Sequence, residues 1–145
     1  MSVSPIEVLL VEDNPGDCRL VREALADYKL KLEVKEAHDG EAAIAFLHRE
    51  GEFRGARRPD LILLDLNIPK KDGREVLAEV KVDRRLKQIP VVILTSSKAE
   101  EDILRTYELH ANCYISKPIS LEQLQKVVRQ IKEFWFTIVK LPPEN

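Results

Sequence analysis

Leu61-Ile62-Leu63-Leu64-Asp65 decides the fold. Four bulky apolar residues in a row, with no polar alternation, read as a strand buried on both faces. Asp65 closes the run, so a carboxylate stands at the strand's C-terminal mouth. Three other runs end in polar chemistry. Val8-Leu9-Leu10-Val11 runs into Glu12-Asp13, Val91-Val92-Ile93-Leu94 into Thr95-Ser96, and Tyr114-Ile115-Ser116 into Lys117-Pro118. In a parallel sheet these four exits share one edge.

Outward from this stretch, strand-like and helix-like segments alternate. Strands are expected near residues 7–11, 31–37, 61–64, 91–94 and 113–116. The first helix opens with Asn14 as cap and Pro15 in the first turn, and Leu20, Val21, Ala24, Leu25 and Tyr28 mark one face. The second runs from Glu41 after Asp39-Gly40, and the third opens at Asp72-Gly73-Arg74-Glu75. The fourth and fifth open on capping boxes, Ser97-Lys98-Ala99-Glu100 and Ser120-Leu121-Glu122-Gln123. Leu121, Leu124, Val127, Val128, Ile131 and Trp135 then recur at helical spacing. Such alternation predicts an α/β fold, a doubly wound five-stranded parallel sheet with helices on both faces. For the acids of the first and third strands to meet, the first must be central. The flavodoxin-like order 2-1-3-4-5 achieves this, with ligands outside the carboxyl ends of the strands. The segment from about His48 to Pro59 reads as a long polar loop.

Composition narrows the function. The 145 residues suffice for one domain. With 23 basic against 25 acidic residues and a net charge of −2, the chain has no electrostatic footprint for nucleic acid. No apolar run approaches the roughly 20 residues of a membrane helix, and the N-terminus is no signal peptide, so a cytoplasmic protein is expected. Cys18 and Cys113 read as small core residues. His38, His48 and His110 are scattered and match no metal spacing. The bases Arg54, Arg57, Arg58, Lys70, Lys71, Arg84, Arg85 and Lys87 read as solvated loop residues.

Glu12, Asp13 and Asp65 converging at one edge would repel one another unless a cation lay between them. An all-oxygen site with room for water suits Mg²⁺, and the main-chain carbonyl of Asn67 can add a ligand. A carboxylate in such a site can attack phosphorus to form an acyl phosphate. Lys117 then pairs with one phosphoryl oxygen, and the Thr95 hydroxyl hydrogen-bonds another. Taken alone, Glu12-Asp13 could cap the first helix and Thr95-Ser96 could be turn residues. Phe134-Trp135-Phe136 point in different directions around a helix, so at least one faces outward and suggests a partner surface.

In these residues the chain resembles the receiver domain of two-component response regulators, over residues 6–133. The resemblance rests on Val-Glu-Asp at 11–13, Leu-Asp-Leu-Asn-Ile-Pro at 64–69, Asp-Gly at 72–73, Leu-Thr-Ser at 94–96 and Lys-Pro at 117–118. It implies the CheY-like form of the flavodoxin fold as a single domain over 1–145, with residues 134–145 as a helix extension and tail. It further implies a phosphoacceptor at Asp65, served by a sensor histidine kinase, and Mg²⁺ held by Glu12, Asp13, Asp65 and the main chain of Asn67. Thr95, Ser96 and Lys117 bind the phosphoryl group, Tyr114 is the switch aromatic, and Pro118 is the candidate for a cis bond. Glu12 stands where Asp is more frequent, and its longer side chain could reach the metal through water. The long loop before the third strand, the run 69–77, the run 107–114 and the ending Phe134-Trp135 resemble single-domain receivers associated with phytochromes, the Rcp type. That likeness implies a homodimer through the fourth helix, fifth strand and fifth helix, with Tyr107, Tyr114, Phe134, Trp135 and Phe136 on the contact surface. Such a protein is a phosphoacceptor and no enzyme in the ordinary sense. A phosphohydrolase of the haloacid dehalogenase class would carry a second Asp two residues after the nucleophile, where this chain has Asn67. A receiver fold kept as a mere scaffold would have lost part of the acid, Thr and Lys set.

Overall fold

The computed structural model describes residues 6–26, 32–95, 113–117 and 120–137; within these, the side chains of residues 95, 113, 114, 116, 128 and 131–137 are not described. Five parallel strands, β1 (Ile6–Val11), β2 (Leu32–Ala37), β3 (Leu61–Asp65), β4 (Val91–Thr95) and β5 (Cys113–Ser116), form one sheet in the order β2-β1-β3-β4-β5. The helices are α1 (Pro15–Ala26), α2 (Gly40–Leu47), α3 (Gly73–Val82) and α4 (Leu121–Thr137). Helix α4 answers the fifth helical pattern of the sequence. The fourth pattern, opening at Ser97, lies outside the described residues.

The strands are apolar throughout because both faces are covered. Successive side chains alternate between faces. Leu9, Val11, Ile62, Leu64, Val91 and Ile93 pack with α2 and α3, in a core that includes Phe46, Val76, Leu77 and Val80. Val8, Leu10, Leu61, Leu63, Val92, Leu94 and Ile115 pack with α1 and α4 through Val21, Ala24, Leu25, Leu124 and Val127. Leu121 departs from expectation at 41% exposed. As the first residue of α4 it stands at the helix mouth, short of the sheet.

Local chemistry fixes where the helices start. Asn14 Oδ1 accepts from Asp17 N at 3.0 Å, Asp39 Oδ1 from Ala42 N at 2.7 Å, Asp72 Oδ1 from Arg74 N at 2.7 Å, and Ser120 Oγ from Gln123 N at 3.3 Å. Each answers a backbone N–H that the first turn leaves unpaired. The polar loop contains structure that its composition does not announce. Gly51–Phe53 forms a 3-10 turn, and the Phe53 ring lies 5.4 Å from that of Phe46. Several of its bases, and others nearby, have partners. Arg57 reaches Glu7 Oε1 at 3.5 Å, Arg58 donates to the Arg85 carbonyl at 3.0 Å, Lys70 lies 3.6 Å from Asp39, and Lys71 pairs with Glu79 at 2.8 Å. Among the described residues, no helix is long and apolar enough to cross a membrane.

Candidate functional site

Strand register assembles the site. Val11 sits beside Leu64, Asp65 beside Leu94, and Thr95 beside Ser116. The residues at or just past these pairs, Glu12, Asp65, Thr95 and Lys117, therefore line one edge of the sheet. Two close approaches hold the turn that follows β3. A Cβ on Gly73 would stand 2.4 Å from the Asp65 carbonyl oxygen, and Gly73 N donates to the Leu66 carbonyl at 3.1 Å. A Cβ on Gly40 would stand 1.9 Å from the Lys71 carbonyl oxygen, and Gly40 N donates to the Pro69 carbonyl at 3.2 Å. Only hydrogen fits at either point, so α2 and α3 both clamp the segment that presents Asp65 and Asn67.

Glu12 is completely buried, Asp65 is 3% exposed, and Asp13 is open to solvent. A carboxylate oxygen from each of the three lies within 4.8 Å of the others. Asp65 Oδ1 accepts from the Asn67 backbone N–H at 2.9 Å, and Asp65 Oδ2 accepts from Lys117 Nζ at 2.9 Å. The same ammonium donates to Glu12 Oε1 and pairs with Asp17 Oδ2 at 2.7 Å. Glu12 Oε2 is buried and has no hydrogen-bond partner among the described residues.

The electrostatics follow from one ammonium shared by several acids. Burial, followed by the Asp65 carboxylate, pushes Glu12 up to about 9, against the downward pull of Lys117. Burial alone would lower Lys117. Its hydrogen bonds to Asp17, Asp65 and Glu12 outweigh that and raise it, which keeps the ammonium charged. Burial would raise Asp17, and the Lys117 contact overturns that and holds it below its usual range. The centre therefore carries more acid than its ammonium can balance, and one buried oxygen is left unanswered. Hard divalent cations are bound by such all-oxygen sets.

The structure thus brings together Glu12, Asp13, Asp65, the Asn67 backbone and Lys117. It ends β4 at Thr95 and carries Tyr114 in β5. Ser96, Tyr107 and Pro118 lie outside the described residues, and the side chains of Thr95, Tyr114, Phe134, Trp135 and Phe136 are not described. Asp17 went unread in the sequence. Its signal was an acid in the first turn of α1, and only the fold shows that this turn faces Lys117. Unread too was a second group. Cys18, buried as expected, lies with Glu36 and His38, their donor atoms within 4.8 Å of one another. His38 is therefore no isolated histidine.

A profile of the response regulator receiver domain matches residues 8–129. The chain belongs to the response regulator receiver family. It is similar to the response regulator Rcp1 of Synechocystis, with 52% identity over 138 residues that cover 95% of this chain and 94% of Rcp1. Among solved structures it resembles the phosphorylated cyanobacterial phytochrome response regulator RcpA, with 54% identity, a TM-score of 0.83 and coverage of 97% of this chain and 100% of that one. It also resembles the Mn²⁺-bound form of Rcp1, with 52% identity, a TM-score of 0.82 and coverage of 96% and 100%. The flavodoxin-like, CheY-like fold expected from the sequence is the fold these relatives share. The receiver domain itself, as in the chemotaxis protein CheY, is a signalling module rather than a catalyst in the usual sense.

Proposed function

We propose that this receiver is a phosphorylation-dependent switch of the single-domain type, with Asp65 as the phosphoacceptor and its output a protein–protein contact. The observation that carries this is the buried Glu12 Oε2, without a hydrogen-bond partner among the described residues, in a cluster with Asp13 and Asp65 and beside one lysine. The donor set fits Mg²⁺. Glu12, Asp13, Asp65 and the Asn67 main chain would hold it, and its chemistry there is to neutralise charge on the incoming phosphoryl group. An Asp65 carboxylate oxygen attacks the phosphorus of a phosphohistidine. The O–P bond forms, the P–N bond breaks, and the imidazole leaves with its electron pair. Asn67 N–H holds one Asp65 oxygen, leaving the oxygen now paired with Lys117 to react. Lys117 then passes from that oxygen to the phosphoryl group.

Phosphorylation adds about −1.5 to −2 charges at this edge. Thr95 and Ser96 supply hydroxyls to the phosphoryl group, and Tyr114 turns inward as Thr95 moves. That re-forms the face of the fourth helical pattern, β5 and α4, and Tyr107, Tyr114, Phe134, Trp135 and Phe136 make the homodimer contact. The donor is a sensor histidine kinase. Likeness to RcpA and Rcp1 supports a phytochrome in that role.

The test uses wild-type protein with Mg²⁺ and acetyl phosphate, following intact mass and oligomer size together. A base-labile mass gain that requires Mg²⁺, with a shift to dimer, is the expected result. Mass gain without a size shift overturns the dimer and moves the output to another protein. No mass gain, and no binding of a beryllium fluoride mimic, overturns the switch and leaves a scaffold.

A further inference from the structure

Between α1 and the end of β2 lies an open cavity of about 640 Å³ whose wall includes Asp13, Cys18, Glu36 and His38. Its origin is the parallel pairing of β1 with β2. Ala37 sits beside Val11, and Glu12 N donates to the Ala37 carbonyl at 3.0 Å, so β2 ends level with β1. Glu36 and His38 flank Ala37. Ala37 packs on the α2 and α3 side, so by strand alternation Glu36 faces α1, and His38, just past the strand end, lies beside it with Nε2 2.9 Å from Glu36 Oε1. There they meet Cys18, one turn into α1.

The three side chains differ in softness and match the donors that Zn²⁺ accepts: a sulfur, a nitrogen and an oxygen. Their ligand atoms lie within 4.8 Å of one another. Ligands roughly 2.0–2.3 Å from a tetrahedral ion stand roughly 3.3–3.8 Å apart, so closing the set takes a shift of about 1 Å. His38 can supply it, since its side chain is 65% exposed. Glu36 is already aimed. Its Oε1 lies 2.9 Å from His38 Nε2, and Arg22 holds its other oxygen from outside. A carboxylate oriented in this way by an outer partner is a recurrent feature of metal sites.

We propose that Cys18, Glu36 and His38 form a second cation site, selective for a borderline-soft ion of the Zn²⁺ class, with its fourth position open to the cavity. Thiolate and carboxylate together balance the charge of the ion. Binding forms a metal–sulfur bond, breaks the S–H bond and releases one proton to solvent. Mg²⁺ is not a competitor here, because it demands an oxygen cage and holds its waters. Conversely, the ligand set at the sheet edge is carboxylate oxygen, and the nitrogen beside it, Lys117 Nζ, is a charged ammonium that cannot ligate. The two sites should therefore sort hard and soft ions between them. They are also mechanically linked, since Cys18 Sγ donates to the Glu12 carbonyl at 3.5 Å and loses that contact when it binds an ion.

The test titrates tag-free full-length protein with Zn²⁺, and in parallel with Co²⁺, in excess Mg²⁺. The proposal expects one Zn²⁺ retained per chain and a thiolate-to-cobalt charge-transfer band with Co²⁺. Both should survive Cys113→Ser. His38→Ala, at an exposed position, should weaken Zn²⁺ binding by at least about 10-fold, and Cys18→Ser should abolish the cobalt band. Should Cys18→Ser fail to fold, His38→Ala decides alone. Zn²⁺ displaced by Mg²⁺, or binding unchanged in His38→Ala, or no binding at all, overturns the site.

Discussion

The two ends of the same sheet both bury acids, and they use them in opposite ways. At the N-terminal edge, Glu7 is 7% exposed, yet it and Asp60 are answered. Asp60 Oδ2 accepts from Glu7 N at 2.9 Å, Asp60 N donates to the Glu7 carbonyl at 2.7 Å, and Arg57 reaches the Glu7 carboxylate at 3.5 Å. At the C-terminal edge one ammonium serves Glu12, Asp17 and Asp65, and a buried Glu12 oxygen has no hydrogen-bond partner among the described residues. The first edge is a finished structural joint. The second gathers more acid than its one ammonium balances. Burial of an acid does not mark function; an unanswered acid does.

The contrast can be broken most severely at Lys117. Lys117→Ala strips the only ammonium found at the described acid cluster and should cost about 3 kcal/mol of stability without divalent cation. Mg²⁺ should restore much of that loss by binding the folded state. Urea unfolding with and without Mg²⁺ reads both numbers, and a loss that Mg²⁺ leaves untouched would break the distinction between the edges. Next is Gly73→Ala. Its Cβ would collide with the backbone of Asp65 and Leu66, so it should cost roughly 1–3 kcal/mol and slow labelling by acetyl phosphate.

Smaller effects belong to the structural edge. Asp60→Ala removes the acceptor for Glu7 N–H and should cost about 1–2 kcal/mol, with phosphorylation unchanged. Slowed labelling in that variant would show that the two ends are coupled. The smallest effect is a pH slope. Burial, then hydrogen bonding to Glu33, raises Glu7 above its unfolded value of 4.5. A raised carboxyl favours the fold below the unfolded value, and this contribution is lost as pH rises through the folded value. Glu7→Gln lacks that loss, so its stability relative to wild type should improve on going from pH 4.5 toward neutrality, by less than about 1 kcal/mol. Parallel denaturation curves at acid and neutral pH test the sign.

Much of this was legible in the sequence because the signals are local. Four apolar runs ending in Glu12-Asp13, Asp65, Thr95 and Lys117 declare buried parallel strands and a polar edge. Asn14, Asp39, Asp72 and Ser120 declare helix starts through chemistry that spans three residues. What stayed hidden depends on distant partners. Asp17 looks like any first-turn acid until the fold brings Lys117, just past the end of β5, to the start of α1. Cys18 looks like core, and His38 like a stray histidine, until β2 pairs with β1. Arg57 and Phe53 sit in a segment whose composition says loop, and only packing on Glu7 and Phe46 gives them roles. Leu121 shows the reverse error, since helical periodicity cannot say where a helix end overruns the sheet.

The central claim is that the unanswered edge takes up a phosphoryl group at one carboxylate. The most direct measurement phosphorylates the protein with acetyl phosphate and Mg²⁺, reduces the acyl phosphate with borohydride, and maps the resulting homoserine by peptide mass spectrometry. The account predicts homoserine at position 65, dependent on Mg²⁺ and absent from Asp65→Asn, with Glu7, Asp13, Asp17 and Asp60 unmodified. Homoserine at Asp13 or Asp17, or reduction at position 65 that ignores Mg²⁺, would contradict it.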